Sequence, residues 1–169
     1  LGIAQASVVE DAVKLKERIE FVHDQVGSDA LVEEYIAGRE LYVGVMGNDR
    51  LHRLPVWEMV FGTMPDTSAG IATRKVKWDR NYQERYGITT HAARDLPPAV
   101  EARLDKLSRR IYRAVGLSGY ARMDFRATET GEVYVLEANA NPNLTATEDF
   151  AESARAGGQG YEELLERLM

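Results

Sequence analysis

The 169-residue chain carries 27 acidic and 21 basic side chains, which gives a formal net charge of −6, and it contains no cysteine. The acidic balance argues against nucleic acid as the main partner, because phosphate backbones select basic surfaces. The lack of cysteine excludes disulfides and thiolate metal sites. Because no apolar run reaches the roughly 18 residues of a membrane span, we expect no membrane partner and a cytoplasmic protein.

The N-terminal part of the sequence predicts a strand followed by an amphipathic helix. Residues 2–8 form an extended apolar run that is typical of a strand. Apolar residues recur at helical spacing from Ala12 to Val26, and Gly27 is expected to end that helix. Because the sequence starts at Leu1 without an initiator methionine, we expect it to be a piece of a longer protein.

Two further predicted strands surround a glycine turn and carry several acids. Residues 31–36 and 40–46 are predicted as strands, and the turn signal at residues 47–50 predicts that residues 51–54 return as a hairpin. Three acids lie on these strands: Glu33, Glu34 and Glu40. They suit a linker between two lobes, and an ordinary acidic strand edge explains the same pattern.

The middle of the chain is predicted to be a functional loop or lid. Residues 55–61 are apolar, and residues 64–70 form a polar loop. A cluster of cations follows, formed by Lys75, Lys77, Arg80 and Arg85. In an acidic protein such a cluster indicates either an anion site or a solvated run of charge. One packed helical face is predicted from aromatic residues at helical spacing, namely Trp78, Tyr82 and Tyr86.

A long amphipathic helix is predicted after this segment. Asp95 is the expected N-cap, prolines occupy the first turn, and Gly116 is expected to end the helix. Two short helices at residues 148–156 and 161–168 are predicted to close the chain.

Residues 120–143 are predicted to form a β-hairpin around a turn at residues 129–132. If residues whose numbers sum to 261 lie opposite each other, the polar face carries the pairs Asp124–Glu137, Arg122–Asn139, Arg126–Val135 and Thr128–Val133. The other face is predicted as core and carries Ala121, Met123, Phe125, Ala127, Tyr134, Leu136 and Ala138.

The polar face of this hairpin contains candidate metal ligands. Two carboxylates directly opposite each other, about 5 Å apart at Cβ, are unfavourable unless a cation lies between them. Mg²⁺ accepts carboxylate and amide oxygens together with substrate phosphates, so Asp124, Glu137 and Asn139 are candidate ligands. Arg122 could bind an anion or an oxyanion. A surface hairpin whose acids pair with its arginines explains the spacing equally well.

The segment GYARMDFRATETGEVYVLEANANPNL resembles the C-terminal signature of the ATP-grasp superfamily, specifically of D-alanine–D-alanine ligase-like enzymes. The upstream LVEEYIAGREL resembles the hinge of the same family. The resemblance covers nearly the whole chain and implies an α+β fold with a mostly antiparallel sheet and flanking helices. It assigns residues 1–40 to a remnant of the central ATP-grasp lobe with the hinge, and residues 41–169 to the C-terminal lobe.

The resemblance also implies a function, the ATP-dependent ligation of a small-molecule carboxylate to an amine through an acylphosphate. It implies that Asp124, Glu137 and Asn139 bind the metal, which is Mg²⁺ with Mn²⁺ as a substitute. It also implies that Arg122 stabilises the charge on the acyl-transfer intermediate. It implies that the adenine contacts Glu33 and the backbone of Glu34 and Ile36. It further implies that Glu40 binds the ribose hydroxyls and that Arg85 reaches the γ-phosphate.

Two residues depart from the family's pattern near the second substrate. Asn143 stands where the family usually has glycine, which puts close backbone approach to the substrate in doubt. Glu148 stands where the family tends to carry a small hydroxyl residue near a substrate carboxylate. An acid there predicts a different nucleophile, a cationic amine.

The resemblance implies that the preceding lobe is missing from these residues, so we expect the isolated chain to be catalytically incomplete. Its partner would be the N-terminal lobe of its own full-length chain. Two alternatives stay open: a non-catalytic domain that binds metal or nucleotide, and a structural domain whose acids pair with Arg122 and Arg126.

Overall fold

The computed structural model describes residues 3–63 and 70–169. The predicted polar loop at residues 64–70 therefore lies outside the described residues apart from Gly70. The chain forms two compact units, Leu1–Tyr35 with Phe61–Thr89, and Ile36–Val60 with Thr90–Met169. This division differs from the predicted boundary at residue 40, because residues 61–89 group with the N-terminal part. The assignment of the two predicted parts to ATP-grasp lobes stays a prediction.

The first unit is helical in its described parts. Helix α1 spans Ala12–Phe21, continues as a π-helical turn over Val22–Val26, and ends at Gly27, whose φ of 70° is left-handed. This confirms the predicted helix and its stop. Two short helices follow in the predicted lid, α2 at Arg74–Trp78 and α3 at Arg80–Tyr86.

Two strand predictions in the first 36 residues are wrong. The described part of residues 2–8 contains a 3-10 turn at Gln5–Ser7, and residues 31–36 have no strand partner. Apolar composition gave the prediction, but an extended segment becomes a strand only where a neighbour accepts its backbone hydrogen bonds. Leu31, at 84% exposed, shows that the second segment packs against little in the described structure.

The predicted continuous aromatic face in the lid is also wrong. Asp79 separates α2 from α3 and caps α3, since its side chain accepts a hydrogen bond from the Tyr82 backbone N–H at 3.0 Å. The cap starts a new helix instead of extending the old one. Within α3 the rings of Tyr82 and Tyr86 still contact each other, with centroids 4.7 Å apart.

The second unit is built on a mostly antiparallel sheet with strand order β4-β3-β1-β5-β6, and β2 pairs with β1. The strands are β1 Arg39–Met46, β2 His52–Arg53, β3 Trp57–Val60, β4 Thr89–Ala92, β5 Tyr120–Ala127 and β6 Val133–Asn139. The mostly antiparallel α+β class is confirmed. The β1–β2 hairpin is also confirmed, and in the described residues no helix is long and apolar enough to cross a membrane.

Helices cover the sheet with two apolar clusters. Helix α4, Pro98–Ala114, packs in the larger cluster. Its N-cap is Pro97 rather than the predicted Asp95, which takes a left-handed φ of 52° just before it. Helices α5, Asp149–Ala156, and α6, Tyr161–Leu168, build the second cluster around Phe150. The two separate clusters fix these helices on the sheet.

The hairpin register is confirmed at its open end and shifted near its turn. Asp124 pairs with Glu137 and Arg122 with Asn139, as predicted, but Phe125 pairs with Val135 and Arg126 with Tyr134. Leu136 is therefore an extra residue on β6, a β-bulge. Because the bulge reverses the alternation, Tyr134 and Leu136 are exposed instead of forming core, and Val133 is buried in their place.

Gly38 is a position where we expect a substitution to be costly. Its φ is 151°, and a Cβ there would lie 2.1 Å from the Ala127 carbonyl oxygen. We expect Gly38→Ala to lower the free energy of unfolding by about 2–3 kcal/mol, because the clash is with backbone and the φ is strained. Urea denaturation measures this. Gly160→Ala is the matched control, since its φ is −64° and nothing lies within 4 Å of the new atom; equal losses in both variants would contradict the prediction.

Candidate functional site

The polar face of strands β1, β5 and β6 brings together most of the predicted site residues in the second unit. Strand register places Glu40 beside Arg126, Tyr42 beside Asp124, and Gly44 beside Arg122. Side chains alternate along each strand, so these residues share one face of the sheet. The shared face carries Glu40, Tyr42, Arg122, Asp124, Arg126, Glu137 and Asn139.

Arg122 and Asp124 form a bidentate ion pair at the centre of this face. The Arg122 Nε donates to one Asp124 carboxylate oxygen at 2.7 Å, and Nη2 donates to the other at 2.8 Å. Nη1 lies 3.8 Å from Asp149 Oδ2 and makes no hydrogen bond within the described part of the chain. Burial opposes the charged guanidinium, but the hydrogen bonds and charge of Asp124 outweigh it and raise the pKa of Arg122. The guanidinium therefore stays charged, with Nη1 available to an anion.

A second ion pair lies deeper on the same face. Arg126 Nη2 donates to Glu40 Oε2 at 2.9 Å, and both side chains are about 5% exposed or less. The Tyr42 hydroxyl donates to Glu40 Oε1 at 2.8 Å. Burial is the main cause that raises the pKa of Tyr42, and the charges of Glu40 and Asp124 add to it. The hydroxyl therefore remains protonated and keeps donating to Glu40.

The predicted metal ligands have the donor chemistry that Mg²⁺ accepts. The Glu137 side chain is exposed and makes no hydrogen bond or ion pair in the described structure, and it lies directly across from Asp124. Asn139 Oδ1 accepts from the Asn141 backbone N–H at 2.9 Å and keeps a second lone pair. In residues 3–63 and 70–169 no group of three or more His, Asp or Glu side chains could hold a metal. Two carboxylates and one amide fit Mg²⁺ only where substrate phosphates and water complete its shell.

The two residues predicted near the second substrate lie in the loop that enters α5. Asn143 is exposed, and its Oδ1 accepts hydrogen bonds from the Thr145 backbone N–H at 3.0 Å and hydroxyl at 2.8 Å. Glu148 is the half-buried N-cap of α5, yet its side chain makes no capping hydrogen bond. Asp149 next to it is the residue that reaches Arg122. The loop thus places acids beside the arginine of the site.

The remaining candidates are described within their own units. Glu33 and Glu34 are exposed residues of the first unit, and Ile36 is a half-buried residue of the second. Arg85, in the first unit, is exposed and has its Cζ 5.4 Å from the Tyr86 ring centroid. The roles of these residues toward a nucleotide stay predictions.

Sequence reasoning missed two residues of the polar face, Tyr42 and Asp149. Tyr42 was predictable in part, because it follows Glu40 by two positions on a strand and must share its face. Asp149 gave no such signal, since it enters the site only through the packing of α5.

Comparison with known proteins adds an independent line of evidence. The profile of the family described as D-ala D-ala ligase C-terminus matches residues 2–169. A D-alanine–D-alanine ligase of Desulforudis audaxviator is 34% identical over 163 residues, which cover 96% of this chain and 49% of that protein. The vancomycin C-type resistance protein VanC2 of Enterococcus casseliflavus is 30% identical over 99% of this chain and 44% of its own length.

A solved structure shows the same architecture. The crystal structure of D-alanine–D-alanine ligase from Bacillus anthracis complexed with ATP superimposes with a TM-score of 0.70 at 25% identity, covering 95% of this chain and 46% of that one. The chain therefore spans about half the length of the proteins it matches.

Proposed function

The chain belongs to the D-ala D-ala ligase C-terminus family, and from that membership we propose that it forms the Mg²⁺- and ATP-binding half of a carboxylate–amine ligase. The single observation that supports this most is the cross-strand pair of Asp124 and Glu137 beside the Arg122 guanidinium. In such a ligation a carboxylate oxygen attacks the γ-phosphorus, and the bond to ADP breaks. An amine nitrogen then attacks the acyl carbon of the acylphosphate, and phosphate and a proton leave.

On the polar face, one set of residues would bind the metal and Arg122 would bind an anionic oxygen. Asp124, Glu137 and Asn139 would hold Mg²⁺, with Mn²⁺ as a substitute, and the metal would neutralise phosphate charge. Arg122 binds an anionic oxygen through Nη1, the one guanidinium nitrogen that Asp124 does not occupy. Phosphoryl transfer depends on positioning and charge neutralisation, so no nucleophilic side chain is required.

Nucleotide contacts are proposed for the residues that the family resemblance assigns to ATP. Glu40 would bind the ribose hydroxyls, because it stands at the family's ribose position and a carboxylate accepts hydrogen bonds from hydroxyl groups. Glu33 and the backbone of Glu34 and Ile36 would contact the adenine. Arg85 would reach the γ-phosphate; its exposure and its position on a short helix leave the guanidinium accessible.

The amine substrate is proposed to be a cation near Glu148, with Asn143 lining its entry. Two consecutive acids, Glu148 and Asp149, lie at the start of α5, and the second faces Arg122. Their two negative charges would repel a carboxylate on the second substrate, and they favour an amine that carries no carboxylate.

The isolated 169 residues are proposed to give no ligase turnover. They correspond to 44–49% of the length of the curated relatives compared above, and the partner they need is the remaining half of such a ligase. The small-molecule substrates and a cytoplasmic location stay predictions.

A second candidate function is a domain that binds metal or nucleotide without catalysis. The observation that favours it over a ligase is the bidentate Arg122–Asp124 pair, in which two nitrogens of the arginine that catalysis would use are bound to a carboxylate. In the protein as its gene encodes it, the Glu137→Gln variant distinguishes a ligase from a domain that only binds metal or nucleotide. A ligase loses turnover, whereas a bare nucleotide binder keeps partial affinity.

The acylphosphate gives the sharpest test. The protein as its gene encodes it is incubated with Mg²⁺, ATP, hydroxylamine and a panel of amino-acid and other carboxylates. We expect one carboxylate to yield its hydroxamate together with ADP in equal amounts, because hydroxylamine intercepts the activated acyl group. The Glu137→Gln variant should form neither product. ADP release that no carboxylate stimulates, with no hydroxamate, would contradict the proposed function.

A further inference from the structure

We propose that Tyr42 is the positioning residue for Arg122, holding the guanidinium in the orientation that binds the transferred phosphoryl or acyl oxygen. This inference rests on the proposed function for the role of Arg122. Tyr42 itself was assigned no role by the sequence patterns. What points to it is the contact between a fully buried aromatic ring and Arg122, the arginine that the proposed chemistry places on the polar face.

The Tyr42 ring supports the guanidinium of Arg122 from its face. The Arg122 Cζ lies 4.5 Å from the Tyr42 ring centroid, and Tyr42 is only 2% exposed. At that distance and burial a cation–π contact is stronger than at an open surface. Asp124 meanwhile binds the edge of the same guanidinium through Nε and Nη2. Asp149 Oδ2 lies 3.8 Å from Nη1, beyond hydrogen-bond distance, so Nη1 is the nitrogen whose hydrogen bonds a substrate would complete.

In the described structure, strand β1 offers the Arg122 guanidinium no side-chain contact other than Tyr42. The β1 residue directly across from Arg122 is Gly44, which has no side chain. A Cβ on Gly44 would lie 2.7 Å from Leu54 Cδ1 and 3.0 Å from a Phe150 ring carbon, so the packing of α5 excludes a larger residue there. Tyr42, two residues back on the same face, is therefore the β1 side chain that contacts the guanidinium.

Tyr42 is itself anchored at its far end. Its hydroxyl donates to Glu40 Oε1 at 2.8 Å and lies 3.6 Å from Met59 Sδ. Glu40 is held in turn by Arg126. The ring is thus fixed by its backbone at one end and by a buried carboxylate at the other, which makes it a rigid support. It also joins Glu40, the proposed ribose residue, to Arg122, the proposed anion residue, through two direct contacts.

A resonance of Arg122 itself reports this support without relying on activity. In the protein as its gene encodes it, the Nε–Hε cross-peak of Arg122 is assigned by its loss in Arg122→Lys. A proton above an aromatic ring is shifted upfield, so we expect an upfield Hε in the wild type and in Tyr42→Phe, and a downfield move in Tyr42→Leu. Tyr112→Leu is the matched control, because Tyr112 is equally buried and its hydroxyl donates to the Gly47 carbonyl at 2.8 Å, away from Arg122.

Steady-state kinetics then tests the consequence for the ligase. We expect Tyr42→Leu to lower kcat about 10- to 100-fold, the size of effect that a misplaced catalytic group produces, with the KM for ATP changed less than threefold. Tyr42→Phe, which keeps the ring, should retain most of the kcat that Tyr42→Leu loses. Tyr112→Leu should lower thermal stability without this split between kcat and KM.

The outcomes separate this inference from the proposed function. An Arg122 signal that Tyr42→Leu leaves in place, or that Tyr112→Leu moves equally, overturns the positioning role whether or not the protein ligates. A moved signal with unchanged kcat in an active wild type also overturns it. If the wild type shows no ATP-dependent ligation at all, the proposed function fails, and the catalytic part of the inference fails with it.

Discussion

Replacing Asp124 with Asn and Glu137 with Gln together is expected to lower the ligase kcat by on the order of 10³-fold in the protein as its gene encodes it. A metal that neutralises charge in phosphoryl transfer contributes several kcal/mol, and each 1.36 kcal/mol is about a factor of ten in rate. The two residues are the paired carboxylates of the β5–β6 register, so removing both charges would remove the proposed metal site. Steady-state ADP release at saturating ATP measures the effect.

The single variant Glu137→Gln distinguishes a loss of activity at the site from a loss of activity caused by unfolding. The Glu137 side chain is exposed and makes no hydrogen bond or ion pair in the described structure, whereas the Asp124 side chain is buried and paired with Arg122. We therefore expect Glu137→Gln to keep the melting temperature of the wild type while losing most of the activity. Glu132→Gln, an exposed acid at the turn of the same hairpin, is the matched control and should be fully active. Full activity in the double variant would show that the hairpin acids are structural.

Replacing Glu40 with Leu is expected to lower the free energy of unfolding by about 3–5 kcal/mol, the usual cost of removing one partner from a buried ion pair. The change removes the buried carboxylate that accepts from Arg126 and from the Tyr42 hydroxyl. Urea denaturation of the 169-residue chain measures the loss. Glu101→Leu is the matched control, because Glu101 is 52% exposed in its ion pair with Arg53 and such pairs contribute about 1 kcal/mol or less.

A double variant distinguishes the ion pair from a simple packing effect. Glu40→Leu with Arg126→Met removes both charges, and apolar replacement of a whole buried pair is often neutral. We expect the double variant to recover most of the stability that Glu40→Leu loses. A double variant that is as unstable as the sum of its single variants would contradict the account of this face as a coupled charge network.

The cross-strand carboxylate pair was predictable from sequence because a hairpin register follows from its turn and its alternation. Asp124 and Glu137 lie opposite each other as that reasoning required. The bulge at Leu136 was not predictable, because residues 133–136 are all apolar and either alignment puts apolar side chains on the core face. The shift begins directly after Asp124, so Asp124 and Glu137 keep the predicted register and the residues near the turn do not.

Features that depend on distant packing were the ones that sequence reasoning missed. Residues 31–36 have strand composition, but whether a strand forms depends on a partner that no local pattern reveals. The burial of Glu40 with Arg126 joins residues 86 positions apart, and the approach of Asp149 to Arg122 depends on how α5 packs. Local rules thus predicted the long helices and the hairpin, while the charge network of the site required the assembled sheet.

The most direct test of the account is the thermal unfolding of the protein as its gene encodes it, with a non-hydrolysable ATP analogue, in Mg²⁺ and again in EDTA. A ligand at a hundredfold excess over its Kd stabilises the native state by about 2.7 kcal/mol. The account predicts that stabilisation in Mg²⁺, little of it in EDTA, and none in the Asp124→Asn, Glu137→Gln double variant. Equal stabilisation in Mg²⁺ and EDTA, unchanged in the double variant, would contradict the assignment of these carboxylates to a metal–nucleotide site.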